Sequence, residues 1–224
     1  MEEQELLPNF WIENSDYNWE ELDNGLVHKC KKGEVLFREG MQMDAIYLIK
    51  KGKIKLSTIN DNGDEKTVGI IGKNSMVGTS SLFNNAQYMF NATAVTDTLL
   101  LKYNKTEFIS KVFNDKEMIT QVLKILSGRI RILTNHVLDL SFDHSYKRLA
   151  KALLDISNTY GVKTENGNIL IKLNITQREL GEIIGTTWVT VSHNLKKLTE
   201  SGVIKKDKKN YIITNLDKLK NISL

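Results

Sequence analysis

The stretch Gly181–Leu198, "GEIIGTTWVTVSHNLKKL", carries two helix-like apolar rhythms separated by a Gly-Thr-Thr break. Just before it, Thr176 and Glu179 have the spacing of a capping box, in which each side chain satisfies a backbone donor at a helix start. A first helix is therefore expected over 177–184, with Leu180 and Ile184 inward and Gly181 leaving room for another helix to approach. Gly185 suits the left-handed residue that ends a helix, and Thr187 suits the cap of the next one. The second helix should bury Val191, Leu195 and Leu198, at steps of four and three.

Once those three point inward, Trp188, Val189, Ser192, His193 and Lys196 share the opposite face. A merely solvated face would be mostly Lys, Glu and Arg. This one is mixed in polarity and size, which is what reading base edges in a major groove requires. Ser192 and His193 can hydrogen-bond bases or phosphate, Val189 can touch a thymine methyl, and Lys196 can neutralise a phosphate. Thr176, Gln177, Thr187 and Thr190, at the two helix starts, complete the candidate DNA contacts. "SGVIKKDKKNYIIT" follows as two strand-like arms around a turn rich in Lys205, Lys206, Lys208 and Lys209, the pattern of a basic wing. The competing reading is a helix–turn–helix that never meets DNA, with Trp188 as a core residue or a partner contact.

The charge distribution favours a polyanion at this end. Residues 143–224 hold 14 Lys and Arg against 8 Asp and Glu, whereas residues 1–142 hold 17 against 19. Cys30 is the only cysteine, so neither an internal disulfide nor an iron–sulfur or structural zinc site can be assembled from thiols. The four histidines, at 28, 136, 144 and 193, lack metal-ligand spacing, and no metal or other cofactor is expected. "GIIGKNS" fails the spacing of a phosphate-binding loop, and no Ser/His/Asp grouping is local, so an enzyme is not expected. The acidic start "MEEQELLPNF" and the lack of a long apolar run point to a cytoplasmic protein with no membrane partner.

Upstream, "EVLFREG", "AIYLIKKGKIKLSTI", "KTVGIIGKNSMVG" and "FNATAVTDTLLLKY" are short strand-like segments divided by Gly, Asn and Asp, with Asn62-Gly63 marking a hairpin. Antiparallel strands at such spacing suggest a sandwich, barrel or roll ending near Tyr103. From Asp115 the rhythm becomes helical. Ile119, Leu123, Leu126, Ile130, Leu133, Val137 and Leu140 keep a 3.5-residue period through three heptads, which suits a parallel helix pair across a homodimer. Met118, Val122, Ile125 and Ile132 widen the stripe enough for its flank to pack on the chain's own strands. A further helix is expected over 144–160, stopped by Gly161, and "NILIKLN" reads as a short strand.

With these residues in view, "ITQRELGEIIGTTWVTVSHNLKKLTESGVI" resembles the DNA-binding signature of the CRP/FNR transcription regulators, and the order of segments matches that family across nearly the whole chain. "KKGEVLFREG", "IYLIKKGKIKL", "NSMVGTSSLF" and "ATAVTDTLLL" sit where that family's β-roll has its glycine turns and ligand segment. The resemblance implies an α+β chain of three parts. These are an antiparallel β-roll of the cyclic-nucleotide-binding kind that senses an effector (1–114), a long dimerisation helix (115–142), and a winged helix–turn–helix (143–224). It implies a homodimer on an inverted-repeat operator, controlled by a small effector and acting with RNA polymerase.

Departures from the family pattern narrow the expectation. Cyclic-AMP-binding members hold the ribose with a glutamate and the phosphate with an arginine. Here Thr79 stands at the glutamate's place, Tyr88 and Met89 stand near the arginine and serine, and no basic residue occurs between Lys73 and Lys102. A phosphate without its cation is costly to bury, so cyclic AMP is not the expected effector. Tyr88, Met89, Phe90, Thr79 and Thr93, with Arg129 or Thr134 from the helix, form the candidate effector wall, suited to a small aromatic or anionic molecule. The same residues equally suit a packed core with no effector. "VTVS", "GKIKL" and "NGDEK" look most like a branch that includes regulators of anaerobic dehalogenation, whose effectors are halogenated phenols. Where many members carry glutamate and arginine on the recognition helix, this chain has Val189 and His193, which implies a half-site shifted toward A·T pairs. Asn194 stands where an apolar residue is usual, and either faces solvent or bonds a neighbouring carbonyl. A dimeric sensor acting only through protein partners is the remaining rival.

Overall fold

The computed structural model describes residues 11–13, 19, 22, 25–83, 87–171, 176–208 and 210–224. Lys209 of the expected wing turn and residues 172–174 of "NILIKLN" lie outside them. The chain divides into two compact units, Trp11–Arg131 and a second that includes Ile132–Leu224.

In the first unit, β-branched and aromatic residues in short alternating runs form strands β1 (Trp11–Glu13), β2 (Leu26–Cys30), β3 (Val35–Phe37), β4 (Ala45–Lys51), β5 (Ile54–Ile59), β6 (Glu65–Ile71), β7 (Met76–Val77), β8 (Asn91–Ala94) and β9 (Thr98–Asn104). They make two sheets, in the orders β1-β6-β5-β8-β3 and β2-β9-β4-β7. β5 pairs with both β6 and β8; Ile54 and Leu56 are buried with Lys55 half-buried between them, the alternation of a strand with one face on a core, and a register shift between Leu56 and Ser57 then buries two residues in succession. β4 is buried from Ala45 to Ile49 on both faces. Pairing is antiparallel except for β1, which lies parallel to β6, a long-range contact that local pattern does not encode. The expected hairpin joins β5 to β6, and Asn60 organises it: its Oδ1 accepts from the Asn62 and Asp64 amides at 3.0 and 2.8 Å.

A helix the sequence reading omitted follows, α1 (Lys105–Asn114). Asn104 caps it, accepting from the Thr106 and Glu107 amides, and only Phe108 and Val112 are buried from it. Asp115 then accepts from the Glu117 and Met118 amides at 2.8 and 3.2 Å and starts α2 (Lys116–Phe142). On α2, Met118 and Val122 are buried in the first unit, as their place on the wider stripe suggested, while the heptad positions point outward. Leu123 is 57% exposed, Ile130 65% and Val137 61%; Leu133 and Leu140 are also exposed, and Ile119 and Leu126 are half-buried. A row of aliphatic side chains in water is what a helix awaiting a partner presents.

In the second unit, α3 (Ser145–Tyr160) is followed by β10 (Gly161–Lys163), β11 (Ile169–Ile171), α4 (Gln177–Ile184), α5 (Trp188–Glu200), β12 (Ile204–Asp207), β13 (Asn210–Ile213) and α6 (Leu216–Ser223). Gly161 both ends α3 and opens β10, and the four strands pair antiparallel as β10-β11-β13-β12. Leu149, Leu153 and Ile156 of α3, with Leu180, Val191, Leu198 and Leu219, are buried to within 1% and make the core, each aliphatic side chain contributing about 1.5–3 kcal/mol. Among the described residues, no helix is long and apolar enough to cross a membrane.

Candidate nucleic-acid interface and sensing site

Local chemistry sets the helix–turn–helix residue by residue. Thr176 Oγ1 accepts from the Glu179 amide at 3.1 Å, and Glu179 Oε2 accepts from the Thr176 amide at 2.7 Å, closing the capping box at the start of α4. Gly185, at φ 68° and ψ 55°, ends that helix, and its amide donates to the Gly181 carbonyl. Thr187 is extended and accepts from the Thr190 amide at 3.3 Å, starting α5. The close approach at Gly181 is made first by the turn and then by the start of α5: a Cβ there would lie 2.6 Å from the Thr186 carbonyl oxygen and 3.4 Å from the Trp188 nitrogen.

Val191, Leu195 and Leu198 are buried from α5, leaving Trp188 61% and Val189 57% exposed. His193 and Lys196 are exposed beside them, and Ser192 and Thr190 are half-buried. These residues share one outward surface at the amino end of the helix. Lys196 lies 3.8 Å from Glu200, both in solvent, an ion pair too exposed to hold the lysine back from a phosphate. Gln177 is differently employed: its side chain hydrogen-bonds the Tyr211 hydroxyl of β13, tying the start of α4 to the wing. Burial, partly offset by that bond, holds the Tyr211 phenol above its ordinary value. Lys205 and Lys206 are exposed on β12 itself rather than in the turn, which Lys208 makes at φ 52°.

Asn194 is only 4% exposed, and its Nδ2 donates to Ser145 Oγ at 3.1 Å. It neither faces solvent nor bonds a carbonyl, because the side of α5 that carries it is covered by the first turn of α3.

In the first unit the candidate effector residues do not form one wall. Thr79 and Arg129 are buried together: the guanidinium donates to Thr79 Oγ1 and, at 2.9 Å, to the Met76 carbonyl. Tyr88 is buried with its ring stacked on Phe37 at 3.8 Å, and its hydroxyl donates to the Ala45 carbonyl at 2.8 Å. Burial, then the neighbouring Tyr47, push its phenol well above the ordinary value. Met89 is 59% exposed, and Phe90 and Thr93 are half-buried. Thr134 belongs to the other unit and is exposed. A surface cleft of about 380 Å³ does open beside Tyr88 and Met89, lined also by Glu39, Gly40, Ser80, Ser81 and Gln87. The sequence reading missed those five: Ser80, Ser81 and Gln87 lie in or beside the ligand segment but were not singled out, whereas Glu39 and Gly40 lie roughly fifty residues from Tyr88 and arrive there only through long-range pairing.

The remaining candidates are quiet. The Cys30 thiol is buried, and burial followed by the charge of Glu34 pushes it up, away from reactive thiolate. His28 is half-buried, edge-on to Tyr47 at 5.9 Å. No group of three or more His, Cys, Asp or Glu able to hold a metal occurs among the described residues.

Comparison with known proteins joins the two units. Residues 27–115 match the cyclic nucleotide-binding domain and residues 147–222 the Crp-like helix-turn-helix domain. The chain is 28% identical over 188 residues to the CRP-like cAMP-activated global transcriptional regulator of Mycobacterium tuberculosis, covering 84% of each. It is 30% identical over 186 residues to the anaerobic regulatory protein of Bacillus subtilis, covering 83% of this chain and 78% of that one. Among solved structures, OCPA-complexed CprK matches with a TM-score of 0.68 at 25% identity over 89% of each chain. A sheet unit matching the cyclic nucleotide-binding domain, a capped helix–turn–helix, and relatives matched along both make the assignment plain: the chain belongs to the CRP/FNR family of transcriptional regulators.

Proposed function

We propose that this regulator is a homodimer that reads an inverted-repeat operator with α5 and answers to a small effector other than cyclic AMP. The observation that carries the DNA reading is the exposed Trp188–Val189–His193 surface, held outward by three buried residues on the opposite side of the helix. Ser192 and His193 supply hydrogen bonds to base edges, Val189 meets a thymine methyl, and Lys196 with the wing lysines meets phosphates. With no carboxylate at position 189 and no guanidinium at 193, the half-site leans toward A·T pairs. The exposed heptad row of α2 supports the dimer.

Against cyclic AMP stand Thr79 at the expected glutamate position and the lack of any basic residue in 74–101. Arg129 does reach Thr79, but from the helix, and its donors are directed to Thr79 and the Met76 carbonyl. The cleft beside Tyr88 suits a small aromatic or anionic molecule, and the CprK structure was obtained with OCPA bound. A second reading, regulation without an effector, is favoured by the internal bonding of Tyr88 and Arg129, which fills the sensing unit with the chain's own side chains.

Selection of binding sites from random duplex DNA tests the proposal. An inverted repeat should emerge, with affinity falling steeply as salt rises, because each neutralised phosphate releases counterions. Val189→Ala and His193→Ala should relax base preference at one or two positions while leaving the salt dependence unchanged. Unaltered preference would displace the reading surface from α5. For the effector, the unfolding midpoint should rise with an aryl carboxylate or halophenol and stay level with cyclic AMP, since only a ligand of the folded state stabilises it. A rise with cyclic AMP would overturn that half of the proposal.

A further inference from the structure

We infer that Arg148 and Asn194 are positioning residues that fasten the reading helix to the corner between α2 and α3, and that operator selectivity depends on them. The inference rests on the reading of α5 given above. Arg148, in the first turn of α3, sends its donors three ways: Nε to the Ile184 carbonyl at 2.8 Å, Nη2 to the Gly185 carbonyl at 3.2 Å, and Nη1 to the Asp143 carbonyl at 2.5 Å. The first two are the orphan carbonyls at the negative end of α4, where a cation both bonds and neutralises. The third belongs to Asp143, one of the two residues between α2 and α3. Asn194, midway along α5, bonds Ser145, the first residue of α3. The turn after α4 and the middle of α5 are thus pinned to the same helical turn.

Apolar packing alone would not do this. Val191, Leu195 and Leu198 hold α5 down, but burial is non-directional and tolerates small rotations. A hydrogen bond does not, since it weakens steeply away from its preferred angle. A guanidinium with three fixed donor directions and a buried amide together set the angle at which Val189, Ser192 and His193 are offered. The corner on which they act is itself clasped: Lys151 Nζ lies 2.5 Å from Asp139 of α2 and 2.6 Å from Asp143. Any rotation at that corner is therefore carried to the reading surface through Arg148 and Asn194. Phosphate contacts, made by long lysines, would survive a small tilt, whereas base contacts would not.

The test compares affinity for the operator selected by the wild-type protein with affinity for random duplex of equal length. Asn194→Leu, Ser145→Ala and Arg148→Lys should each lower that ratio about tenfold, the size expected for one directional bond. Asn194→Leu with Ser145→Ala should lower it no further than either alone, and Ser145→Thr, which keeps the hydroxyl, should restore it. Affinity for random duplex and the slope of affinity with salt should stay as in wild type. If Asn194→Leu does not fold, Ser145→Ala and Arg148→Lys decide. An unchanged ratio in folded variants overturns the inference, and so does a salt slope lower by about one in Arg148→Lys, which would mark a phosphate contact. Failure of the wild-type protein to select any sequence would instead sink the DNA reading itself.

Discussion

A methyl group on Gly181 would sit 2.6 Å from the Thr186 carbonyl oxygen. The obstacle is backbone, so relief requires the break between α4 and α5 to move. Alanine ordinarily gains about 1 kcal/mol over glycine within a helix, but here crowding outweighs it, and Gly181→Ala should lower stability by about 1–3 kcal/mol in urea unfolding. A higher midpoint would show that the turn yields freely. At this scale the sequence was legible wherever partners are near neighbours. The Thr176–Glu179 box, the Gly185 terminator and the Thr187 cap each act over three or four residues, so spacing alone reveals them. Arg129 meets Thr79 across fifty positions, and Asn194 meets Ser145 across forty-nine. Such pairings follow from topology, and no local pattern announces them. Glu39 and Gly40, beside the cleft at Tyr88, escaped notice for the same reason.

Among the elements, the corner of α2 and α3 gathers Asp139, Asp143, Lys147 and Lys151 into linked ion pairs. Burial pushes the Asp139 carboxyl up, more than Lys151 pulls it down, whereas burial at Asp143 is outweighed by the bonds from Lys151 and Lys147, which hold it below the usual carboxylate value. Burial also works against the Lys151 ammonium, but the two carboxylates outweigh it and hold that group above its ordinary value. The Asp143 contribution is therefore present above the ordinary carboxylate value and lost as pH falls through the lowered one; that of Lys151 is lost only as pH rises through its raised value; Asp139, also raised, acts in the direction of Lys151 and against Asp143. Lys151→Met should cost about 2–3 kcal/mol at neutral pH, because it removes the cation from the buried Asp139 carboxylate and leaves Asp143 with Lys147 alone. The difference from wild type should shrink as the solution is acidified and the carboxylates protonate, Asp139 before Asp143, measured by thermal unfolding from neutral to acid pH. A constant deficit would mean that packing of the lysine stem, and not its charge, matters. Helix α1 was overlooked because ten residues with two buried positions carry too short a rhythm to stand out, and the parallel pairing of β1 with β6 has no local cause.

For the whole molecule, the seam of α2 is decisive. Leu123 and Ile130 lie seven residues apart, exposed on one line of the helix, away from Met118 and Val122. Leu123→Glu with Ile130→Glu should convert the proposed dimer to a monomer in sedimentation, leave far-ultraviolet dichroism nearly unchanged, and weaken binding to the proposed inverted repeat by at least about a hundredfold, since two half-sites could no longer be held together. Retention of the dimer would place the interface elsewhere. The 3.5-residue spacing was readable from sequence because it persists for three heptads; that the seam would stay in water on the single chain required the fold.

That uncovered aliphatic row also shapes how the protein accumulates in a cell. In the homodimer proposed above, a newly made solitary copy would display greasy surface to chaperones and proteases until it met its twin, and the meeting rate would grow with the square of abundance. Scarce synthesis is thus thinned disproportionately, so mature regulator should rise more steeply than the rate at which its message is translated.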